Sequence, residues 1–167
     1  MLKVFDNLGD IDFRQLMNVY AEGNRINGDE FYSKCSENLR ILYAEQDFYN
    51  YLVEFFKERS ARYAVWEHEG SYMSALRIER YSADGLLLSA LETVPSHRRK
   101  GFASSLIAAT LKYLRIDGRG ILYSHVNKRN FASLNVHKKC GFEIISDRAV
   151  YLDGTTVTEA YTLSLEY

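Results

Sequence analysis

The sequence predicts a mixed α/β domain, in which helices flank a central, mostly antiparallel sheet of about six or seven strands. Apolar residues recur at helical spacing in the first 60 residues. Extended apolar segments separated by turn residues follow at 62–68, 72–81 and 86–94. From 86 to 147 strand and helix patterns alternate, which implies that the strands on either side of the first crossover helix are parallel.

The size and composition of the chain favour a single domain over residues 1–167. A length of 167 residues and an apolar fraction of 47% are typical of one folded core. No apolar run reaches the roughly 18 residues of a membrane helix, and the first residues do not resemble a signal peptide. We therefore expect a cytoplasmic protein without membrane partners.

The N-terminal third is predicted to be mainly helical. Leu2–Phe5 has the pattern of a short strand, and Asp12 is suited to cap the first helix. The two Asn and the Gly within 24–29 predict a break. Further helices are then expected at 31–43 and 46–59.

The three extended segments are expected to form a meander with turns at Glu69-Gly70 and Ala83-Asp84-Gly85. The segment 86–94 is apolar almost throughout, as in a strand covered on both faces, so it should be central. The remaining predictions are a helix from Phe102, a strand at 121–126, a helix at 131–140, a strand at 142–146, a hairpin turn at Asp153-Gly154 and a strand at 156–165.

Charge is unevenly distributed along a chain whose net charge is only −1. Residues 94–142 contain ten Lys or Arg and one acid, Asp117, which gives that segment a charge of +9. Residues 1–60 carry −4. A basic middle between acidic ends favours an anionic ligand at the centre and a cationic one at the edges.

A basic glycine turn connects the central strand to the next helix. Pro95 ends the strand and Gly101 opens the helix six residues later. The first N–H groups of a helix have no internal partner and bind phosphate, and Gly101 and Ala103 leave the space around them open. The alternative is a plain turn with a solvated basic surface. Three basic residues add charge: Arg98, Arg99 and Lys100.

With these residues the chain resembles the GNAT superfamily of N-acetyltransferases, whose pyrophosphate-binding loop has the form R/Q-x-x-G-x-G/A. Arg98, Gly101 and Ala103 fit that form. A second motif follows, in which Asn opens a helix that ends in Gly-Phe; four of its five positions match. The five positions are Asn130, Ser133, His137, Gly141 and Phe142, and His137 stands where many relatives have tyrosine.

The resemblance covers 86–147 and implies a splayed parallel strand pair that binds acetyl-CoA, with 1–60 as a helical region on the acceptor side. It implies that amides of the loop hold the pyrophosphate, that Thr93 and Val94 pair with pantetheine, and that the Val94 N–H binds the thioester carbonyl. The cofactor-binding residues expected in this way are Thr93, Val94, Arg98, Arg99, Lys100, Gly101, Phe102, Ala103, Ser104, Ser105, Asn130, Ser133 and His137.

Glu92 is the candidate general base, because an attacking amine must lose a proton and this carboxylate lies two residues before Val94 on the same strand face. A satisfied structural carboxylate is the alternative. His137 either protonates the leaving thiolate or only packs. His97 and His125 are assigned no catalytic role. Cys35 and Cys140 are expected to be structural thiols, and no metal is expected.

The predicted function is transfer of acetyl from acetyl-CoA to a primary amine in a ternary complex. Two alternatives remain: a coenzyme A-binding sensor without turnover, and nucleic-acid binding through the basic segment 94–142. The oligomeric state is open, with a homodimer as one alternative. Aromatic and acidic residues could wall a pocket for a cationic amine, although helical core is their commoner use; they are Phe31, Tyr32, Tyr43, Phe48, Tyr49, Tyr51, Phe55, Phe56, Glu30, Glu37, Glu45, Asp47 and Glu54.

Overall fold

The computed structural model describes residues 1–83 and 85–167, so Asp84 of the predicted turn lies outside the described residues. The helices are α1 (Phe13–Val19), α2 (Ala21–Phe31), α3 (Glu37–Phe55), α4 (Phe102–Leu114) and α5 (Phe131–Lys139), with 3₁₀ turns at Leu8–Asp10 and Pro95–His97. The strands are β1 (Leu2–Phe5), β2 (Arg62–His68), β3 (Ser71–Arg80), β4 (Gly85–Thr93), β5 (Ile121–Asn127), β6 (Glu143–Ser146), β7 (Ala149–Val150), β8 (Thr156–Val157) and β9 (Ala160–Glu166).

Seven of these strands form one sheet in the order β1-β2-β3-β4-β5-β9-β6, and β7 pairs with β8 in a separate hairpin. Neighbours in the large sheet run antiparallel except β4 and β5, which are parallel. The predicted mixed sheet, the central position of β4 and the parallel crossover are therefore confirmed.

Two hydrophobic layers cover the sheet. On the face that we call the α4 face, Leu106 and Ile107 of α4 pack with Leu88 of β4. On the other face, called the α1 face, Leu16 of α1 and Leu52 of α3 pack over the sheet. Among the described residues, no helix is both long and apolar enough to cross a membrane.

The predicted break at 24–29 is wrong, because α2 runs through it. Asn24 is buried and its amide donates to the Met17 sulfur at 3.3 Å, so the polar side chain is accommodated inside the helical layer. The predicted helices at 31–43 and 46–59 are likewise replaced by the single helix α3.

The close approach of α2 to α3 requires a glycine at position 28. A Cβ at this position would lie 2.9 Å from the carbonyl oxygen of Arg40 on α3, so the two helix backbones approach too closely for any side chain. The predicted strand at 156–165 is also divided, into β8 and β9. Asp12 caps α1 as expected, accepting from the Gln15 amide at 3.1 Å.

Replacing Gly28 with alanine should destabilise the fold by about 1–3 kcal/mol, because the new methyl group meets backbone that cannot rotate away. Gly23→Ala in the same helix is the matched control: no atom lies within 4 Å of its Cβ position. That change should stabilise by up to about 1 kcal/mol through helix propensity. Urea unfolding of both variants measures the difference, and equal stabilities would contradict the close packing of α2 on α3.

Candidate active site

Strand β4 contains a bulge. On β3, Ala75 and Arg77 lie two residues apart, but their β4 partners Glu92 and Ser89 lie three apart. The extra residue makes a β-bulge, in which Ala90 has a φ of +50°. Because the β3 partners share a face, Ser89 and Glu92 share it too, whereas residues three apart in a regular strand point to opposite faces. Glu92 therefore lies on the α1 face, where Ala75 belongs to the core.

Tyr20, between α1 and α2, stabilises the bulge. Its hydroxyl donates to the Ala90 carbonyl at 2.7 Å. Burial raises the pKa of Tyr20, so the hydroxyl keeps the proton that it donates. A left-handed conformation costs a residue with a side chain about 1–2 kcal/mol, and this bond offsets part of that cost. No motif in the sequence predicts this contact, because Tyr20 simply continues the helical spacing of apolar residues after Asp12.

The parallel strands separate halfway along. Among the described residues, β4–β5 pairing ends at Leu88 and Ser124, although β4 continues to Thr93 and β5 to Asn127. Beyond that point β5 stays paired with β9 only. The splayed parallel pair is therefore present, and it opens a gap between two strands at their carboxyl ends.

The N–H that faces this gap belongs to Thr93, one residue before Val94, whose N–H was the expected donor. The Val94 N–H donates to the Met73 carbonyl at 2.9 Å and so points into the sheet, where it is not available to a ligand. Successive amides along a strand point to opposite sides, which turns the Thr93 N–H toward the gap. The Thr93 carbonyl also lies on that side and accepts from Arg98 Nε at 3.4 Å.

Helix α4 begins beside the gap with free amides. Gly101 precedes it in the left-handed region at φ +87°, and a Cβ there would meet no atom within 4 Å. The Ser105 N–H makes the first helical bond, to the Gly101 carbonyl at 2.9 Å. The amides of Phe102, Ala103 and Ser104 therefore precede the first internal donor and face outward, as an anion site requires.

The three basic residues of the turn, Arg98, Arg99 and Lys100, do not all point to the same place. Arg98 forms an ion pair with Glu22 of α2 and lies 3.5 Å from Glu92, so its guanidinium points toward the carboxylates of α2 and β4. Arg99 and Lys100 are exposed at the turn itself. Arg99 has a φ of +63°, which gives the turn a second left-handed residue.

Glu92 lies in an environment that favours its protonated form. Its side chain is 36% exposed, and burial is the main cause that raises its pKa. Arg98 lowers this pKa and Glu22 raises it, so the carboxyl responds to both charges. Glu22 was not recognised from the sequence, because an acid in the first turn of a helix is common for dipole reasons alone.

His137 is buried and fully hydrogen-bonded. It is 1% exposed; its Nδ1 lies 2.8 Å from the Ser133 carbonyl, and Nε2 lies 3.0 Å from the Ser124 hydroxyl. Burial lowers its pKa, so the neutral ring donates from Nδ1 and accepts at Nε2. These contacts favour the packing interpretation of His137 over the acid. Asn130 caps α5, accepting from the Ser133 amide at 3.0 Å.

The expected acceptor-side residues lie in different places. Phe31, Tyr43 and Tyr49 are exposed on the outside of α2 and α3. A cavity of about 570 Å³ lies between α3 and the end of β3, and three of the expected residues line it. They are Tyr51, Glu54 and Phe55, joined by Glu79, Tyr81 and Leu152 among others.

Comparison with solved structures finds similar folds over the whole chain. The Thermoplasma acidophilum PaiA N-acetyltransferase in complex with coenzyme A is 14% identical, with a TM-score of 0.66 over 100% of this chain and 99% of that one. The Campylobacter jejuni N-acetyltransferase PseH in complex with acetyl coenzyme A is 12% identical, with a TM-score of 0.66 over 99% of each chain.

A third similar fold is the Escherichia coli ribosomal-protein-S18-alanine N-acetyltransferase, 16% identical with a TM-score of 0.62 over 99% of this chain and 94% of that one. A sequence comparison with curated proteins finds no significant match. The family model of the acetyltransferase (GNAT) family matches residues 25–142, well over half of the chain. The chain therefore belongs to the GNAT acetyltransferase family, and its class of enzyme is acyltransferase.

Proposed function

We propose that the protein transfers the acetyl group of acetyl-CoA to a primary amine by direct attack in a ternary complex. The observation that carries the proposal is the gap between β4 and β5, which opens next to the free amides of α4. A gap in a sheet exposes backbone that can pair with an extended ligand, and a helix start binds its phosphates. Acetyl-CoA supplies an activated thioester in that position.

The pyrophosphate is proposed to bind at the start of α4. The amides of Phe102, Ala103 and Ser104 precede the first helical bond, and exposed Arg99 and Lys100 add positive charge. Gly101 matters because a side chain there would stand in the open space in front of these amides. The hydroxyl of Ser104 or Ser105 can add a further donor.

The pantetheine arm is proposed to lie along β4 in the gap. We assign the backbone contacts to Thr93 and, two residues earlier, Leu91, because the Val94 N–H already serves the sheet. An amide aimed at the thioester oxygen stabilises the negative charge that develops there during attack. Asn130 and Ser133, at the start of α5, lie at the end of β5 on the other side of the gap.

Glu92 is proposed to take the proton of the attacking amine. The bulge turns it to the α1 face, which carries the acidic and aromatic cavity between α3 and β3. A raised pKa makes the carboxylate a better base than an ordinary glutamate. Because both nitrogens of His137 are engaged, we assign His137 to packing and leave protonation of the thiolate to water.

Gly101→Asp should weaken coenzyme A binding at least about a hundredfold, since it adds a side chain and a negative charge at the phosphate site. Gly154→Asp is the matched control, because Gly154 has nearly the same φ, +83° against +87°, and equally open surroundings. Calorimetric titration with coenzyme A measures both affinities. Equal affinity of the two variants would refute the loop assignment.

Glu92→Gln should reduce kcat by about a hundredfold or more while leaving the affinity for acetyl-CoA nearly unchanged, as expected for loss of a general base. Thiol release from acetyl-CoA in the presence of amines measures the rate, and calorimetry measures the affinity. A wild-type rate across the pH range would remove Glu92 as the base.

Substitutions of Arg98 and of Glu22, the charged neighbours of Glu92, should shift the pH profile of kcat in opposite directions. The base acts when deprotonated, so activity falls as the pH drops through its pKa, above the range of an ordinary glutamate. Arg98→Gln removes a charge that lowers this pKa and should move the acid limb to higher pH. Glu22→Gln removes a charge that raises it and should move the limb to lower pH. Profiles of kcat test both shifts, and shifts in the same direction would contradict the assignment.

The two alternatives give different results in the same assays. Coenzyme A binding without thiol release against a panel of amines, antibiotics and peptide N-termini would support a sensor. Salt-sensitive binding to RNA or DNA without coenzyme A binding would support a nucleic-acid partner for the basic segment.

A further inference from the structure

The solvent-facing side of α3 carries apolar residues at a regular spacing. Along Glu37–Phe55, five positions follow one another at intervals of three, four, three and four residues, and we call them the α3 stripe. They are Leu39, Leu42, Gln46, Tyr49 and Val53. The four apolar side chains are between 41% and 55% exposed. A row of exposed apolar side chains, unlike a single one, indicates a contact surface.

The α3 stripe is separate from the side by which α3 packs on its own chain. Successive residues of an α-helix turn by about 100°, so these intervals keep the stripe within about 80° of the helix surface. The buried residues Ala44, Leu52 and Phe55 lie on the opposite side. The charged residues of α3 all lie outside the stripe; they are Glu37, Arg40, Glu45, Asp47 and Glu54. An uncharged stripe at this spacing is the pattern of a seam between two paired helices.

The α3 stripe is symmetric about Gln46. Leu42 and Tyr49 lie four residues before it and three after it, and Leu39 and Val53 lie seven residues away on either side. If two copies of α3 pack antiparallel with Gln46 at the two-fold axis, Leu39 of each copy meets Val53 of the other. Leu42 then meets Tyr49, and Gln46 meets itself. An amide has both a donor and an acceptor, so two glutamines can bond to each other.

The residues beside the α3 stripe differ between its two borders. On one border, the antiparallel pairing brings Tyr43 of one copy next to Asn50 of the other, where the phenol and the amide can form a hydrogen bond. Asn50 already accepts from Gln46 Nε2 at 3.1 Å within its own helix. The other border carries Glu45, which would lie near its own equivalent across the axis. Salt screens the repulsion between two such carboxylates, so it should favour this pairing.

We propose that the α3 stripe is a docking surface for a second copy of this chain, with the two α3 helices antiparallel about Gln46. A second copy fits because each apolar position of the stripe meets an apolar position, and because the contact is the same on both copies, as a two-fold dimer requires. The stripe also offers no charge that would favour a nucleic acid or another charged partner.

The size of the contact sets the strength that we expect. Leu39 and Val53 are 14 residues apart, so the seam is about 21 Å long and about 10 Å wide. Such a contact belongs to the small class of interfaces, which bury less than about 1,200 Å² in total. The dimer should therefore be weak and should form reversibly as the protein concentration rises.

Sedimentation velocity over about 10 to 500 µM protein tests the surface. The wild-type protein should shift from monomer toward dimer, and Leu42→Glu should stay monomeric because it places a charge in the seam. Ile116→Glu is the matched control, since Ile116 is 81% exposed but lies outside α3; it should dimerise like the wild type. Gln46→Leu should strengthen the dimer about tenfold or more, because a polar residue within a seam costs stability. Equal Tm values of the dilute proteins check that the monomers fold alike.

Disulfide trapping tests the orientation in a chain whose Cys35 and Cys140 are replaced by serine. Gln46→Cys should form a crosslinked dimer on oxidation, because position 46 meets itself. Val53→Cys should crosslink to Leu39→Cys in a mixture of the two variants but not to itself, because a disulfide requires Cα atoms within about 7 Å.

Three results would overturn the proposal. A wild type that remains monomeric at the highest concentration would exclude a second copy and leave the α3 stripe to a different partner. A Leu42→Glu variant that dimerises as strongly as Ile116→Glu would place the contact elsewhere on the chain. Self-crosslinking of Val53→Cys as efficient as that of Gln46→Cys would refute the antiparallel pairing.

Discussion

Ala90 holds a left-handed backbone conformation in the middle of the central strand, with its carbonyl bonded to the Tyr20 hydroxyl. The extra residue in this bulge decides which way the end of β4 faces. It directs Glu92 to the α1 face and leaves Leu91 on the α4 face. The hydrogen bond of the buried Tyr20 also connects the N-terminal helices to β4. One contact therefore stabilises both the proposed acceptor side and the strand that borders the proposed cofactor gap.

Electrostatics at the site follow from the same arrangement. Arg98 points away from the basic turn toward Glu22 and Glu92, while Arg99 and Lys100 are exposed at the turn. The guanidinium thus bridges the loop that starts α4 and the first turn of α2. Burial raises the pKa of Glu92. The neighbouring Arg98 lowers this pKa, and Glu22, which pairs with Arg98, raises it. Such a balance raises the pKa of the proposed base above that of an ordinary glutamate without burying an unpaired charge.

Much of the sheet could be predicted because its signals are local. Alternation, turn residues and the Pro95 and Gly101 boundaries located the strands and the start of α4. The helix α2 was missed because Asn24 and Gly28 usually break helices, whereas here one is buried and the other lets α3 approach. The Val94 N–H was expected to be free but is bonded to Met73, because the direction of an amide depends on pairing with β3, which a single strand does not reveal. The roles of Glu22 and Tyr20 depend on contacts between residues far apart in the chain, and no spacing rule detects those.

The bulge makes β4 one residue longer than the segment of β3 with which it pairs. Substitutions do not change this length, but deletions do. Deleting one residue between Ser89 and Glu92 would remove the bulge and restore regular alternation, with Glu92 two residues after Ser89 and still on the α1 face. Regular alternation without that deletion would instead turn the carboxylate into the hydrophobic layer under α4. An unpaired carboxylate in such a place is strongly disfavoured. For anyone who aligns or redesigns chains of this fold, a chain without the bulge therefore matches this one only with a one-residue gap between Ser89 and Glu92, because an ungapped comparison beyond Ser89 would exchange the two faces of the strand.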